Sequence, residues 1–123
     1  MVKPKSAESE LISKIIFGIE DVKGADVNIM DLTNITNTVC GYFIVCTGTS
    51  NTHVAAIVSS IRKHVSKELK EKPFSVEGNE NQEWVLIDYV NVVVHVFQRE
   101  IREYYDIENL WGDAKITNVE LNA

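Results

Sequence analysis

The sequence predicts a single mixed α/β domain, a small sheet flanked by helices, on three observations. Apolar residues recur at helical spacing in two separate stretches, 11–19 and 54–69. Between them lies a run, Val39 to Cys46, that is apolar on both alternating faces apart from Gly41, and two strand-like segments, 84–89 and 92–97, follow nearly without a gap. A strand apolar on both faces is covered on both sides, so this run belongs at the centre of a sheet with a layer over each face. A chain of 123 residues that is 45% hydrophobic has material for one core, which argues against a second domain.

Each element follows from local pattern. Residues 1–5 are polar and expected to be flexible, and residues 6–113 to form the domain. Leu11, Ile12, Ile15, Ile16 and Ile19 fall three and four apart, which predicts an amphipathic helix over 6–20. Gly24 releases the chain into "ADVNIMDL", a strand over 26–32, and "TNITNT" reads as a loop. After the central strand, "GTS" leads into a long helix whose stripe is Val54, Ile57, Val58, Ile61, Val65 and Leu69, with Ser50 or Asn51 as its cap. The periodicity breaks at Pro73. "FSVEG" is a short strand, "NENQ" a polar hairpin loop, and Trp84–Tyr89 with Val92–Phe97 an antiparallel hairpin turning at Val90 and Asn91. Valine is ill suited to the left-handed dihedrals of so tight a turn, a conflict between turn length and turn chemistry. One or two short helices follow over 99–111, ending near Gly112, and residues 114–123 read as a tail along the surface.

Eighteen acidic residues against twelve basic give a charge of −6, which opposes a broad phosphate-tracking surface on DNA or RNA and suits a basic protein partner. No apolar run is long enough for a membrane helix and the first ten residues lack a secretion signal, so the cytosol is the expected location, with no membrane partner. Cys40 and Cys46 lie about 20 Å apart along an extended strand, too far for a disulfide, and read as two buried thiols.

Chemistry is poorly supplied. His53 and His64, eleven residues apart on one helix, are separated by about 16 Å, and no zinc spacing is present. "CTGTSNTH" offers hydroxyls and a helix start, an anion-binding turn or a structural one, without the lysine of a phosphate loop. Nucleotidyl transfer needs paired carboxylates to hold divalent ions. Asp88 in "LIDYVN" has Val90 and the uncharged Asn91 beyond it, and Asp31 and Glu77 have nothing in the sequence to bring them together. Alternation sets His95 on the face of Val93 and Phe97, which suits a hydrogen-bonded structural or interface histidine better than a general base. Trp84 shares its face with Leu86 and Asp88, an aromatic beside a carboxylate, as in an interface hot spot or a sheet-edge core. The segment "REIREYYDIENLWG" leaves the same two readings open: Tyr104, Leu110 and Trp111 either seal the domain or add to such a hot spot, with Arg99, Arg102, Glu103, Asp106 and Glu108 in solvent.

Taken in order, "ADVNIMDL", "YFIVCTGTSNTHVAAI", "VEG", "EWVLIDY", "VVVHVF" and "REYYDIENLWGDA" resemble the ribosomal silencing factor, or Iojap, family over nearly the whole chain. The resemblance implies a nucleotidyltransferase-like α/β fold without the catalytic carboxylate pair, a non-enzymatic role and no cofactor or metal. It implies binding to the large ribosomal subunit through protein uL14, steric exclusion of the small subunit, a role in subunit assembly in organellar relatives, and a homodimer off the ribosome. It also suggests a docking surface on the second sheet face, for which the candidates are Glu77, Trp84, Asp88, His95, Arg102, Tyr105 and Trp111. Trp84 is the expected apolar anchor, Glu77 and Asp88 the attraction for basic groups, and Arg102 a salt bridge or core-edge support. The alternative is a metal-dependent nucleotidyl-transfer enzyme, and a third reading a general RNA-binding module. There are three departures from the family pattern: Gly41 stands where Asp is usual, Val90 and Asn91 replace a Gly-Asp turn, and Thr52 stands where Arg is common.

Overall fold

The structure, a computed structural model, describes residues 7–35, 38, 40–78 and 80–120. The chain runs α1 (Ala7–Asp21), β1 (Ala25–Asp31), β2 (Tyr42–Gly48), α2 (Asn51–Leu69), β3 (Ser75–Glu77), β4 (Trp84–Asp88), β5 (Val92–Gln98), α3 (Arg99–Tyr105), α4 (Ile107–Leu110) and β6 (Lys115–Val119). The strands form one mixed sheet in the order β3-β4-β5-β2-β1-β6. β2 and β5 run parallel at its centre and the other pairs are antiparallel. The central strand thus sits where its two apolar faces require.

Each face has its own core. Leu11, Ile15 and Ile19 of α1 and Val54, Ile57, Ile61 and Val65 of α2 bury the predicted stripes against Val27, Ile44, Cys46, Val85, Ile87, Val94 and Val96. Each such side chain contributes about 2 kcal/mol of burial. The helices approach closely because Gly18 lacks a side chain: a Cβ there would stand 2.8 Å from the Ile61 Cα. Ser60 Oγ donates to the Gly18 carbonyl at 2.7 Å across the same contact. On the second face Met30, Phe43, Val45, Val93 and Phe97 pack with Leu32, Cys40 and Ile107, and with half-buried Trp84, Leu86, Ile101 and Trp111.

Two boundaries differ from the sequence reading. β2 begins at Tyr42 rather than Val39 and extends to Gly48, because it pairs with β5 from Tyr42↔Val92 to Gly48↔Gln98. Residues 115–119 do not trail along the surface: β6 pairs with β1 from Val27↔Val119 to Asp31↔Lys115. Four of its five residues are exposed, so no apolar alternation announced it. The unpaired backbone groups on the outer edge of β1 supply the reason for the strand.

The turn between β4 and β5 is strained. Val90 has φ +75°, and the Asn91 N–H donates to the Tyr89 carbonyl at 3.0 Å, a three-residue γ-turn of the rarer, strained hand. Asp88 Oδ1 holds it from below by accepting the Val90 N–H at 2.7 Å. Asn91 ties it to the neighbours: its Oδ1 accepts the Gly41 N–H at 2.9 Å and its Nδ2 donates to Glu8 Oε2 at 2.8 Å. A Cβ at Gly41 would meet that amide at 3.1 Å, so the departures at positions 41 and 91 are packed against each other. Val90 is mostly exposed and loses little burial on truncation. Val90→Gly is therefore expected to raise stability by about 1 kcal/mol, the left-handed strain relieved less the extra chain entropy of glycine, read as a higher urea midpoint at unchanged slope.

Candidate functional site

The second sheet face carries the strand candidates, Glu77, Trp84, Asp88 and His95, in register. Glu77, Leu86, His95 and Val45 form one row across β3, β4, β5 and β2, and Trp84 with Phe97 the next. Trp84 stacks on Phe97 with centroids 4.8 Å apart and touches Tyr105 of α3 at 4.7 Å. Its Nε1–H donates to His95 Nδ1 at 3.1 Å. Phe43 meets His95 edge-on at 4.5 Å and Trp111 at 5.6 Å. Four of the seven candidates, Trp84, His95, Tyr105 and Trp111, are thus joined in one aromatic cluster with Phe43 and Phe97.

His95 is the buried centre of that cluster, 5% exposed. Because Nδ1 accepts from Trp84, the ring is the neutral tautomer with its proton on Nε2, and Nε2 has no partner among the described residues. Burial depresses its pKa, Glu108 opposing, to about 4. A base whose folded pKa lies below its ordinary value near 6.5 stabilises the fold fully above that value and loses the contribution as pH falls toward 4. Stability is expected to drop by about 3 kcal/mol between pH 6.5 and pH 4 from this ring alone. Urea unfolding at stepped pH checks it, and His95→Gln should flatten the slope in that window.

The α3–α4 segment behaves differently from its sequence reading. Trp111 seals the second core against Phe43, but Tyr104 and Leu110 do not seal anything: they are 80% and 76% exposed, and Tyr105 is 50% exposed. The helical pattern carried no signal of this, because the chain breaks into two helices at Asp106, φ +48°, which turns the stripe outward. Between this segment and the β3–β4 loop lies a shallow cleft of about 240 Å³ bordered by Gly78, Glu83, Trp84, Ile101 and Tyr105. Gly78, φ +87°, is required there, since a Cβ would lie 2.1 Å from the Trp84 carbonyl oxygen.

The charged candidates are not gathered in the cluster. Glu77 is exposed at the rim on the edge strand. Asp88 lies at the far end of β4 and is occupied in its own turn. Glu108 does not face solvent as expected, and of the two readings of Arg102 the structure has the salt bridge rather than the solvent-facing side chain, the two side chains being 19% and 12% exposed. Arg102 donates to Glu108 Oε2 at 2.6 Å, to the Asp26 carbonyl at 2.6 Å and to Thr47 Oγ1 at 2.8 Å, pinning α3 and α4 to β1 and β2. Burial raises the Glu108 carboxyl, but the Arg102 guanidinium and the Asn28 amide outweigh it and hold the group below the usual range.

The other chemical features are spent internally. In the turn before α2, Ser50 Oγ accepts the His53 N–H at 3.1 Å, and His53 Nδ1 accepts the Thr49 N–H at 2.9 Å while Nε2–H donates to the Val22 carbonyl at 2.7 Å. The amides an anion would need are therefore taken by the chain itself. Burial pushes the Cys46 thiol up to about 12 and also raises Cys40, so neither is poised as a thiolate nucleophile. Asp31 and Glu77 sit on strands four positions apart in the sheet, about 19 Å, and form no carboxylate pair. Among the described residues no group of three His, Cys, Asp or Glu is placed to hold a metal ion, and no helix is long and apolar enough to cross a membrane.

The second sheet face thus bears a largely buried aromatic cluster beside exposed Tyr104, Tyr105 and Leu110. The model of the family "Ribosomal silencing factor during starvation" matches residues 4–123. A ribosomal silencing factor from Chromobacterium violaceum is 42% identical over 109 residues, covering 88% of each chain. A mouse protein named for mitochondrial assembly of the ribosomal large subunit is 36% identical over 73 residues, 57% of this chain and 32% of its own. A crystal structure of a Chromobacterium violaceum protein superimposes with a TM-score of 0.78 at 39% identity, over 90% of this chain and 91% of that one. The chain belongs to the ribosomal silencing factor family.

Proposed function

We propose that the protein represses translation by docking on the large ribosomal subunit through uL14 and sterically keeping the small subunit from joining. The observation that carries this reading is the set of large side chains left exposed beside the cluster, Tyr104, Tyr105 and Leu110, next to half-buried Trp84. Tyrosine and tryptophan over a rigid support are the residue types that dominate interface energies. Glu77 and Glu83 at the rim, and Glu103 on α3, supply the negative charge that steers a basic ribosomal protein toward the face. The activity is regulatory, cytoplasmic and independent of a cofactor. The mouse relative's name supports a further role in large-subunit assembly through the same contact. Off the ribosome, the exposed apolar side chains favour a homodimer.

The test is binding to purified large subunits and to isolated uL14, with small-subunit joining followed in parallel. Tyr105→Ala with Leu110→Glu alters side chains at least half exposed and keeps every fully buried residue of the core, and circular dichroism and urea unfolding check that the variant is folded. This double variant should bind at least thirtyfold more weakly, the loss of one interface anchor, and cease to block joining. Unchanged binding and blocking would overturn the assignment of this face, and no binding by the unaltered protein would overturn the function.

A further inference from the structure

The charge of the molecule is sharply segregated. Between residues 62 and 72 lie Arg62, Lys63, Lys67, Lys70 and Lys72 against only Glu68 and Glu71, so this stretch carries +3 while the rest of the chain carries −9. All five cations are exposed, and among the described residues none forms an ion pair. Compensation of the α2 dipole explains Lys67 and Lys70, in or beside the last turn, where that field is felt. It does not explain Arg62 and Lys63, a further turn inside, or Lys72 beyond the helix.

These three residues share an open groove of about 600 Å³, together with Ser59, Ser66 and Gln82 and a single carboxylate, Glu71. Ser59, Arg62 and Ser66 fall three and four apart, so hydroxyl, guanidinium and hydroxyl follow one another along a helix face about 10 Å long. The opposite face of α2 is buried, which holds this row rigidly toward solvent. Among the described residues that line the groove none is aromatic. Cations and hydroxyls in a row suit the phosphate-and-sugar backbone of RNA, contacted without sequence preference.

Position connects the groove to the docking face. Its Gln82 wall belongs to the β3–β4 loop, whose other side, at Glu83 and Trp84, borders the cleft against Tyr105. The Gln82 and Glu83 carbonyls both accept from Gln98 of β5, at 3.2 and 2.8 Å, fixing this loop between the two surfaces. We infer that the groove formed by α2 and residues 71–73 is a second contact, taking the phosphate backbone of RNA on the particle whose protein binds the aromatic face. The inference rests on the large-subunit reading above and adds to it an RNA contact that net charge conceals.

The experiment uses the whole protein, a 20-nucleotide single-stranded RNA, a polyglutamate peptide of equal charge, and large subunits. The variant Arg62→Gln, Lys63→Gln, Lys72→Gln is compared with a conservative variant Arg62→Lys, Lys63→Arg, Lys72→Arg. Three phosphate contacts predict that neutralisation flattens the dependence of log affinity on log salt by about 2 and weakens RNA binding roughly a hundredfold at 0.1 M salt. The conservative variant should retain both, and subunit affinity should fall with the neutral variant. Unchanged RNA affinity and slope would overturn the inference, as would polyglutamate competing as well as RNA, which would assign the groove to an acidic protein. A neutral variant that binds subunits normally refutes the groove and spares the docking face. An unaltered protein that binds RNA through the groove but not subunits refutes the docking reading instead.

Discussion

Replacing Arg102 by Met is expected to cost the domain about 3 kcal/mol, among the largest effects of any single change, although Arg102 lies on a seven-residue helix near the surface. The guanidinium holds three partners at once, Glu108, the Asp26 carbonyl and Thr47. Methionine fills the space of the stem but leaves the Glu108 carboxylate largely buried with only Asn28 to hold it. The penalty is that of an uncompensated charge rather than of lost apolar area. It carries its own signature in pH. Glu108 sits below its ordinary pKa with Arg102 present, and without that partner burial raises it. The gap in stability between the two proteins should therefore narrow as pH falls through the carboxylate range, first above about 4.5, where the variant neutralises its carboxylate, and then below it, where the unaltered protein loses its ion pair. Urea unfolding at pH 7 and pH 4 measures both, and an equal gap at the two pH values would contradict the account.

Trp84→Ala is expected to act on stability and docking together. The indole stacks on Phe97, touches Tyr105 and donates to His95, so truncation removes packing and leaves buried Nδ1 of His95 without its donor. Because Trp84 is half-buried, the expected cost is about 2–3 kcal/mol, below the range for a fully enclosed tryptophan. Docking to the large subunit should fall by more than thirtyfold at concentrations where the variant is still folded by circular dichroism. Trp84→Phe separates the two effects. It keeps the stack on Phe97 but not the hydrogen bond, so about 1–2 kcal/mol of stability should be lost through His95 with most of the binding retained.

What the sequence disclosed and what it hid follow from the range over which each feature is determined. Alternation placed His95 with Val93 and Phe97, and Trp84 with Leu86, on the second face, because the two-residue period of a strand is local and cannot slip without inverting a core. The Arg102–Glu108 pair was invisible for the opposite reason. Helical spacing put both in solvent and only the resemblance suggested a salt bridge for Arg102, without its partner, whereas the left-handed Asp106 between them folds α4 back so that the two meet. β6 was missed because its pattern is polar and its existence depends on the free edge of β1, far away in sequence. The turn at Val90 reads badly by composition because strands β4 and β5, with Asp88 and Asn91, impose it. The exposure of Tyr104 and Leu110 belongs to the same class, since it depends on where a break in the helix falls.

The parallel pairing of β2 with β5 also has a bearing on how the chain reaches this state. Tyr42 finds its partner in Val92, fifty positions on, and the whole of α2 and the β3–β4 hairpin must be looped out before the two central strands meet. The entropy of closing that loop is met before any central contact repays it. Refolding is therefore expected in the millisecond-to-second range of topologically complex domains, with α2 and the β4–β5 hairpin forming early and the centre of the sheet closing last.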